Sequence, residues 1–287
     1  MTQSLSRAVL ATRPVLIMVA PTGARRMPRD HAALPITLDA IAETAADCFA
    51  AGAGAIHAHV RDAAGAHLLD VAAYRAQLAR IAVAAPDIVV QVTTEAVGRY
   101  SPADQAALLT ELRPRFVSVA IREFFADAEA PAAAALLAAQ ASGVACQYIV
   151  YDDRDLVWFS DLVARGLLPG TRHRIIVVMG RYTEGQNSDI AEFAARLATM
   201  DRLGLTDTTV WTVCAFGQGE TAVLEAAMAA GGHMRVGFEN SLLHADGRVA
   251  ADNRERVAAI ATLARGMGRP LAFGAQAAAI LGGSSVA

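Results

Sequence analysis

The feature that most constrains this chain is a rhythm. Short, β-rich apolar runs recur at intervals of roughly 30 residues, each followed by a longer segment with helical spacing, which marks repeated βα units. The runs are 15–20 (VLIMVA), 54–60 (GAIHAHV), 87–93 (DIVVQVT), 116–121 (FVSVAI), 144–150 (VACQYIV), 174–179 (RIIVVM), 209–214 (TVWTVC) and 234–239 (MRVGFE). Eight such units close a parallel barrel, so the expected fold is α/β, a (β/α)8 TIM barrel. No Pro/Gly/Ser linker or low-complexity tract interrupts the rhythm, which predicts one domain over residues 1–287.

The helices between the runs carry readable punctuation. In 37–51, Leu38, Ile41, Ala42, Ala45 and Phe49 share a face and Gly52 stops the helix. At 101–112, Ser101 can cap, Pro102 occupies the first turn and Asp104 completes a box-like start. Segment 188–203 opens on Asn187, Ser188 and Asp189 and is expected to bury Ile190, Phe193, Leu197 and Met200. Asp252 begins the last long helix, with Glu255 three residues on and Val257, Ile260 and Ala261 facing inward.

Composition narrows the chemistry. The chain has no lysine, all 25 of its Lys+Arg residues being arginine, so a Schiff-base nucleophile and the phosphate-binding lysine of a Walker loop are both excluded. A net charge of −3 without a basic run leaves no electrostatic footprint for nucleic acid or a membrane surface, and points to a small-molecule protein. The run VLIMVA is too short for a signal segment or a membrane span, and the expected location is the cytoplasm. Cys48, Cys146 and Cys214 are widely spaced, form no CxxC pair and read as buried small hydrophobes of a reducing compartment.

A barrel of this kind places chemistry at the carboxyl ends of its strands. The residues found there include Arg25, His57, His59, Arg61, Asp62, Thr93, Glu95, Arg122, Glu123, Arg181, Glu239 and Asn240. Strand side chains alternate faces, so His57 and His59 project to one side about 7 Å apart along the strand and can converge on one ion by leaning inward. The last strand closes beside the first, and Glu239 at its end can supply a carboxylate across the mouth. Two histidines, a glutamate and an open position make a common catalytic zinc set. HxH on an isolated strand is also compatible with a structural pair bonded to backbone; its place at a carboxyl end favours metal. Arg235, on the same strand face as Gly237 and Glu239, requires an anionic partner from protein or ligand. His173 and His233 precede their strands and belong to the stability face, His31 lies in a loop, and His67 and His244 read as surface or outer-layer residues.

Several blocks taken in order resemble a known family over nearly the whole chain: MVAPTGAR, LPIT, AGAGAIHAHVRD, DIVVQVTTE, PRFVSVA and GGHMRVGFEN. The sequence is similar to the β-keto acid cleavage enzymes, of which the 3-keto-5-aminohexanoate cleavage enzyme is the best known. The resemblance implies a zinc ion held by His57, His59 and Glu239. It implies a homotetramer, and a reaction of a β-keto acid with acetyl-CoA that yields a new acyl-CoA and acetoacetate by retro-Claisen cleavage. By position, Arg235 matches the family's arginine, Thr93 stands where a substrate-binding serine is usual, and Ser118 lies near a strand-end hydroxyl. Two positions depart from the pattern. Arg25 replaces an acidic residue suited to an amino-bearing substrate and suggests a neutral or anionic tail. Asn240 replaces the aspartate linked to proton abstraction, and asparagine accepts no proton at neutral pH. Glu95 is the preferred substitute base, with Asp62, Glu123 or a metal-activated hydroxide as alternatives; Arg61 and Arg25 join the expected substrate-binding residues. Two rival readings stay open: a metal-dependent hydrolase of the amidohydrolase type, against which Tyr151 and Gly180 occupy positions where that class has histidines, and a catalytically silent zinc-binding barrel.

Overall fold

The computed structural model describes residues 6–282. Eight parallel strands form a closed barrel: β1 Ile17–Val19, β2 Ala55–Ala58, β3 Val89–Thr93, β4 Phe116–Ala120, β5 Ala145–Val150, β6 Arg174–Met179, β7 Val210–Ala215 and β8 His233–Val236. Each strand pairs with its sequence neighbours, and β8 closes against β1 through Met18 opposite Arg235. A two-stranded antiparallel ribbon, Val60–Arg61 with His67–Leu68, rises from the end of β2.

The capping chemistry sets the helix starts. Ser101 and Asp104 form a reciprocal capping box with Pro102 in the first turn. Thr37, Asp189 and Asp252 each accept a backbone N–H at the start of helices Leu38–Ala51, Ile190–Arg202 and Asn253–Gly266. The expected faces are buried except that Leu38 and Phe49 are half-buried and Ile190, in the first turn of its helix, is exposed.

Residues of odd and even register separate cleanly, as the pleat requires. Ile17, Val19, Ile56, Ala58, Val117, Val119, Ile175, Val177 and Val213 face outward into the main core beneath the helices. Inside the barrel, Leu16, Met18, Ala55 and Phe116 pack with the terminal helix Gly274–Leu281, which covers the amino end. Above that apolar plug lies a layer of buried polar side chains, His57, Gln91, Gln147, Thr212 and Arg235. One side of the mouth is apolar again, formed by Ala120, Ile149, Val178 and Phe216.

Three sequence expectations need correction. β2 ends at Ala58, so His59 stands just past the strand, and β8 ends at Val236, so Glu239 is not on the same extended run as Arg235. The chain turns at Gly237 (φ +137), where a Cβ would lie 2.6 Å from the Ala20 carbonyl oxygen; only glycine permits that approach. Cys146 is half-buried rather than enclosed. Among the described residues no helix is long and apolar enough to cross a membrane.

His233 opens β8 at the amino face, where its Nδ1 accepts the Leu16 N–H at 3.1 Å. Burial, with Arg269 and Arg172 adding to it, pushes its pKa down to about 3 from an ordinary 6.5. The unfolded chain therefore takes up that proton first, and stability falls as pH drops from about 6.5 toward 3. Denaturant unfolding at pH 7.5 and pH 5 should show a smaller acid loss for His233→Leu than for the parent protein, while the variant is weaker at pH 7.5 by about 1–3 kcal/mol because the Leu16 N–H is orphaned.

Candidate metal centre

His57, at the end of β2, and His59, one residue past it, turn their Nε2 atoms toward each other at 3.1 Å. Glu239 reaches in from the turn after β8, its Oε2 3.8 Å from Nε2 of His57 and 3.4 Å from Nε2 of His59. That Oε2 atom is buried and has no hydrogen-bond partner. The three side chains offer ligand atoms within 4.8 Å of one another, the one such group of three among the described residues.

The ring protons can be placed by elimination. Gln91 Nε2 donates to Gln147, so Gln91 Oε1 is the acceptor for His57 Nδ1 at 2.9 Å, which leaves His57 Nε2 bare. His67 Nε2 donates to the Glu95 carbonyl at 2.9 Å, so its Nδ1, 3.4 Å from Nδ1 of His59, is the accepting atom, and His59 Nε2 is also bare. Burial pushes the pKa of His57 and of His67 down to about 3, so both rings are neutral at pH 7. Burial alone would push the Glu239 carboxyl up, but the Arg235 guanidinium outweighs it and holds the group well below the usual carboxylate range. Two lone pairs and an ionised oxygen thus face one point without a donor between them. This donor set fits a divalent cation, and its composition and open side suit zinc.

The loops that carry these groups are tied together. Arg61 spends its guanidinium on main-chain carbonyls of the loop after β1 and of the ribbon turn: Nε meets Gly23 O at 2.8 Å and Nη1 meets Gly65 O at 2.7 Å. Asn253 clamps the loops after β1 and β8, donating to Pro21 O at 3.1 Å and accepting the Phe238 N–H at 2.8 Å. Arg235 anchors Glu239 Oε1 at 3.0 Å and contacts Cys214 Sγ at 3.1 Å, so Cys214 is a polar partner as well as a buried thiol.

The cavity mouth above the donors is lined by Thr93, Glu95, Glu123, Tyr151, Arg181 and Arg235 on one side and by Thr22, Arg25 and Arg26 on the other, with Phe216 and Glu239 between. Of the residues expected there, Arg25 is exposed with Nη2 3.9 Å from Glu95 Oε1, and Thr93 lines the cavity. Ser118 sits behind Thr93, its Oγ 3.5 Å from Thr93 Oγ1. Arg61 holds a loop instead of facing substrate. Asp62 is taken up by the ribbon turn, where Oδ1 accepts the Ala64 and Ala66 N–H groups at 2.9 and 2.8 Å. Asn240 is wholly buried, donates to Cys214 Sγ at 3.3 Å and does not line the mouth. Main-chain partners satisfy Arg61 and Asp62 first, whereas Asn240 is held away by its contact with Cys214 and leaves its own Oδ1 without a partner. His67, expected either at the surface or behind the ligands, takes the second place, buried with its Nδ1 3.4 Å from Nδ1 of His59. The largest hollow, about 690 Å³, lies at the opposite, amino face beside Arg115, Arg172 and Arg174, away from the donor set.

The sequence matches the family described as beta-keto acid cleavage enzyme over residues 14–282. The chain belongs to this family of enzymes. It is 30% identical over 278 residues to the 3-oxoadipate:acetyl-CoA acetyltransferase of Cupriavidus necator, covering 94% of this chain and 95% of that protein. It is 26% identical over 275 residues to the 3-keto-5-aminohexanoate cleavage enzyme of Fusobacterium nucleatum, covering 93% and 97%. Among solved structures, a ternary complex of ObcA with a C4-CoA adduct and oxalate shares the fold at a TM-score of 0.67 and 17% identity, over 87% of this chain and 67% of that one. The binary complex of ObcA with oxaloacetate aligns similarly, and this chain spans 66% of that longer protein.

Gly23 tests the geometry of the centre. Its φ is +64 and a Cβ would lie 2.4 Å from Glu239 Cγ, so the glycine gives Glu239 its place. Gly23→Ala is expected to displace the carboxylate and weaken zinc binding by about tenfold or more. Chelator competition measures this; wild-type zinc affinity in a folded Gly23→Ala protein contradicts the assigned ligand.

Proposed function

We propose that this enzyme is zinc-dependent and joins a β-keto acid bearing a second, anionic group to acetyl-CoA, then cleaves the product to acetoacetate and a new acyl-CoA. The observation that carries the reading is the convergence of His57, His59 and Glu239 beneath an electropositive mouth. Zinc, when bound there, would supply Lewis-acid polarisation of the β-ketone.

The chain's own residues account for the rest. Arg235, at the cavity floor with its Nε unpartnered, is placed to orient the carboxylate next to the ketone, and Thr93 lines the same cavity. Glu95 lines both halves of the mouth and, with Asn240 turned away, is the carboxylate that takes the proton from the carbon between ketone and carboxylate. The carbanion then forms a C–C bond to the thioester carbon and expels CoA thiolate. The thiolate attacks the original ketone, the older C–C bond breaks, and Glu95 returns its proton to the departing acetoacetate carbanion.

Charge in the mouth selects the tail. Arg25, Arg26, Arg181 and Arg235 face Glu95, Glu123 and Glu239, four cations against three acids. Burial, aided by Glu95, raises the pKa of Glu123. Arg181 stacks over Phe216 at 5.2 Å and forms no ion pair with a carboxylate among the described residues. A free guanidinium on an aromatic face suits a distal carboxylate, in keeping with a relative that is a 3-oxoadipate:acetyl-CoA acetyltransferase.

The zinc-loaded protein is assayed for acetoacetate and acyl-CoA with 3-oxoadipate, neutral-tailed and amino-tailed β-keto acids. Turnover should require acetyl-CoA and be fastest with the dicarboxylate; hydrolysis without CoA supports the amidohydrolase alternative, and zinc binding without turnover supports a silent barrel. Glu95→Gln should lower kcat by about 10²–10⁴-fold with zinc content unchanged. Arg181→Met should raise KM for the dicarboxylate about tenfold more than for the neutral-tailed acid.

A further inference from the structure

Beneath the metal ligands, the barrel interior holds a line of amides where apolar side chains would fill the space. Gln91, Gln147 and Thr212 are 1%, 2% and 1% exposed. They stand on β3, β5 and β7, and Gln91 is the direct register partner of His57. His57 Nδ1 donates to Gln91 Oε1 at 2.9 Å, Gln91 Nε2 to Gln147 Oε1 at 2.9 Å, and Gln147 Nε2 to Thr212 Oγ1 at 3.0 Å. Gln147 Nε2 also faces the Ile175 carbonyl at 3.5 Å.

The line has a sense. An amide has one accepting end and one donating end, so fixing one link fixes the next. The Ile175 carbonyl can only accept, and it therefore turns the Gln147 NH2 toward itself and Thr212. Gln147 Oε1 must then receive the Gln91 NH2, and Gln91 Oε1 must receive the His57 ring proton. Stability does not call for such a line, because replacing buried hydrogen-bonded partners by apolar groups of the same shape is nearly neutral.

We propose that Gln147 and Thr212, which touch neither metal ligands nor substrate cavity, are positioning residues that lock His57 in the Nδ1–H tautomer and so keep its Nε2 available to a metal. The consequence for metal rests on the functional reading above; the tautomer itself does not. Without Gln147, the Gln91 amide is free to turn its NH2 toward His57, whose Nδ1 then accepts and whose Nε2 carries the proton into the space between the ligands.

Two measurements on Gln147→Leu test this. In the metal-free protein, 15N NMR of the imidazole nitrogens should show His57 moving from the Nδ1–H toward the Nε2–H form. Chelator competition should show zinc affinity falling about 10–100-fold, the effect found when outer partners of metal-bound histidines are lost. Thr212→Val should shift both readouts in the same direction by less, since the Ile175 carbonyl remains, and Thr212→Ser should restore them; this pair decides the matter if Gln147→Leu does not fold. A folded Gln147→Leu protein with His57 still Nδ1–H and zinc affinity within about twofold of the parent overturns the proposal. Should the parent protein bind no zinc, the metal reading fails, and the tautomer measurement still decides the line.

Discussion

Three ligand atoms face one another here with no proton between them, and the surrounding architecture serves to hold them so. Nε2 of His57, Nε2 of His59 and Oε2 of Glu239 would repel or seek donors if free to move, because unpaired polar atoms away from water are costly. The barrel denies them that freedom. Closure of β8 on β1 brings residue 239 to residue 57, Gly23 and Gly237 remove the side chains that would block the approach, and Arg235 keeps the carboxylate ionised. A divalent cation held by the three atoms would resolve the frustration that the fold imposes.

The same economy explains which charged residues reach the substrate space. Arg61 and Asp62 follow the histidines directly, yet both are drawn into the ribbon and the loop after β1, where backbone carbonyls and N–H groups lie within reach. Arg181 has aromatic neighbours and, among the described residues, no acid within ion-pair distance, so its charge is left to the cavity. Buried Glu220 and Arg256 pair behind the turn after β8, and burial raises the Glu220 carboxyl to about 7 although Arg256 opposes the shift. That pair stiffens the support of Glu239 from the side away from substrate.

Two departures from the family's pattern become intelligible together. With Asn240 buried against Cys214, the proposed base is a group on the open side, Glu95, whose Oε2 lies 4.0 Å from Nδ1 of His59. Arg25, in the place of an acid, lies 3.9 Å from that same Glu95 and balances its charge. In the proposed mechanism the base and the substrate-tail residue thus change as a pair.

The strand rhythm, the capping residues and the HxH pair were legible in the sequence because each is a local signal: a pleat period, a hydroxyl beside a helix start, two rings on one face. They determined the barrel, its helix boundaries and the nature of the ligands. The sequence could not reveal the partners of those ligands. Gln91, Gln147 and Thr212 sit in separate apolar runs as isolated polar residues, and His67 follows a glycine turn that reads as surface; nothing local says that they meet His57 and His59. Nor could it show that Glu239 arrives by a turn and not by a strand, that main-chain groups take up Arg61 and Asp62, or that Asn240 is buried against Cys214. Those outcomes depend on barrel closure and strand register, which set groups distant in sequence at hydrogen-bond range, and only the tertiary structure decides them.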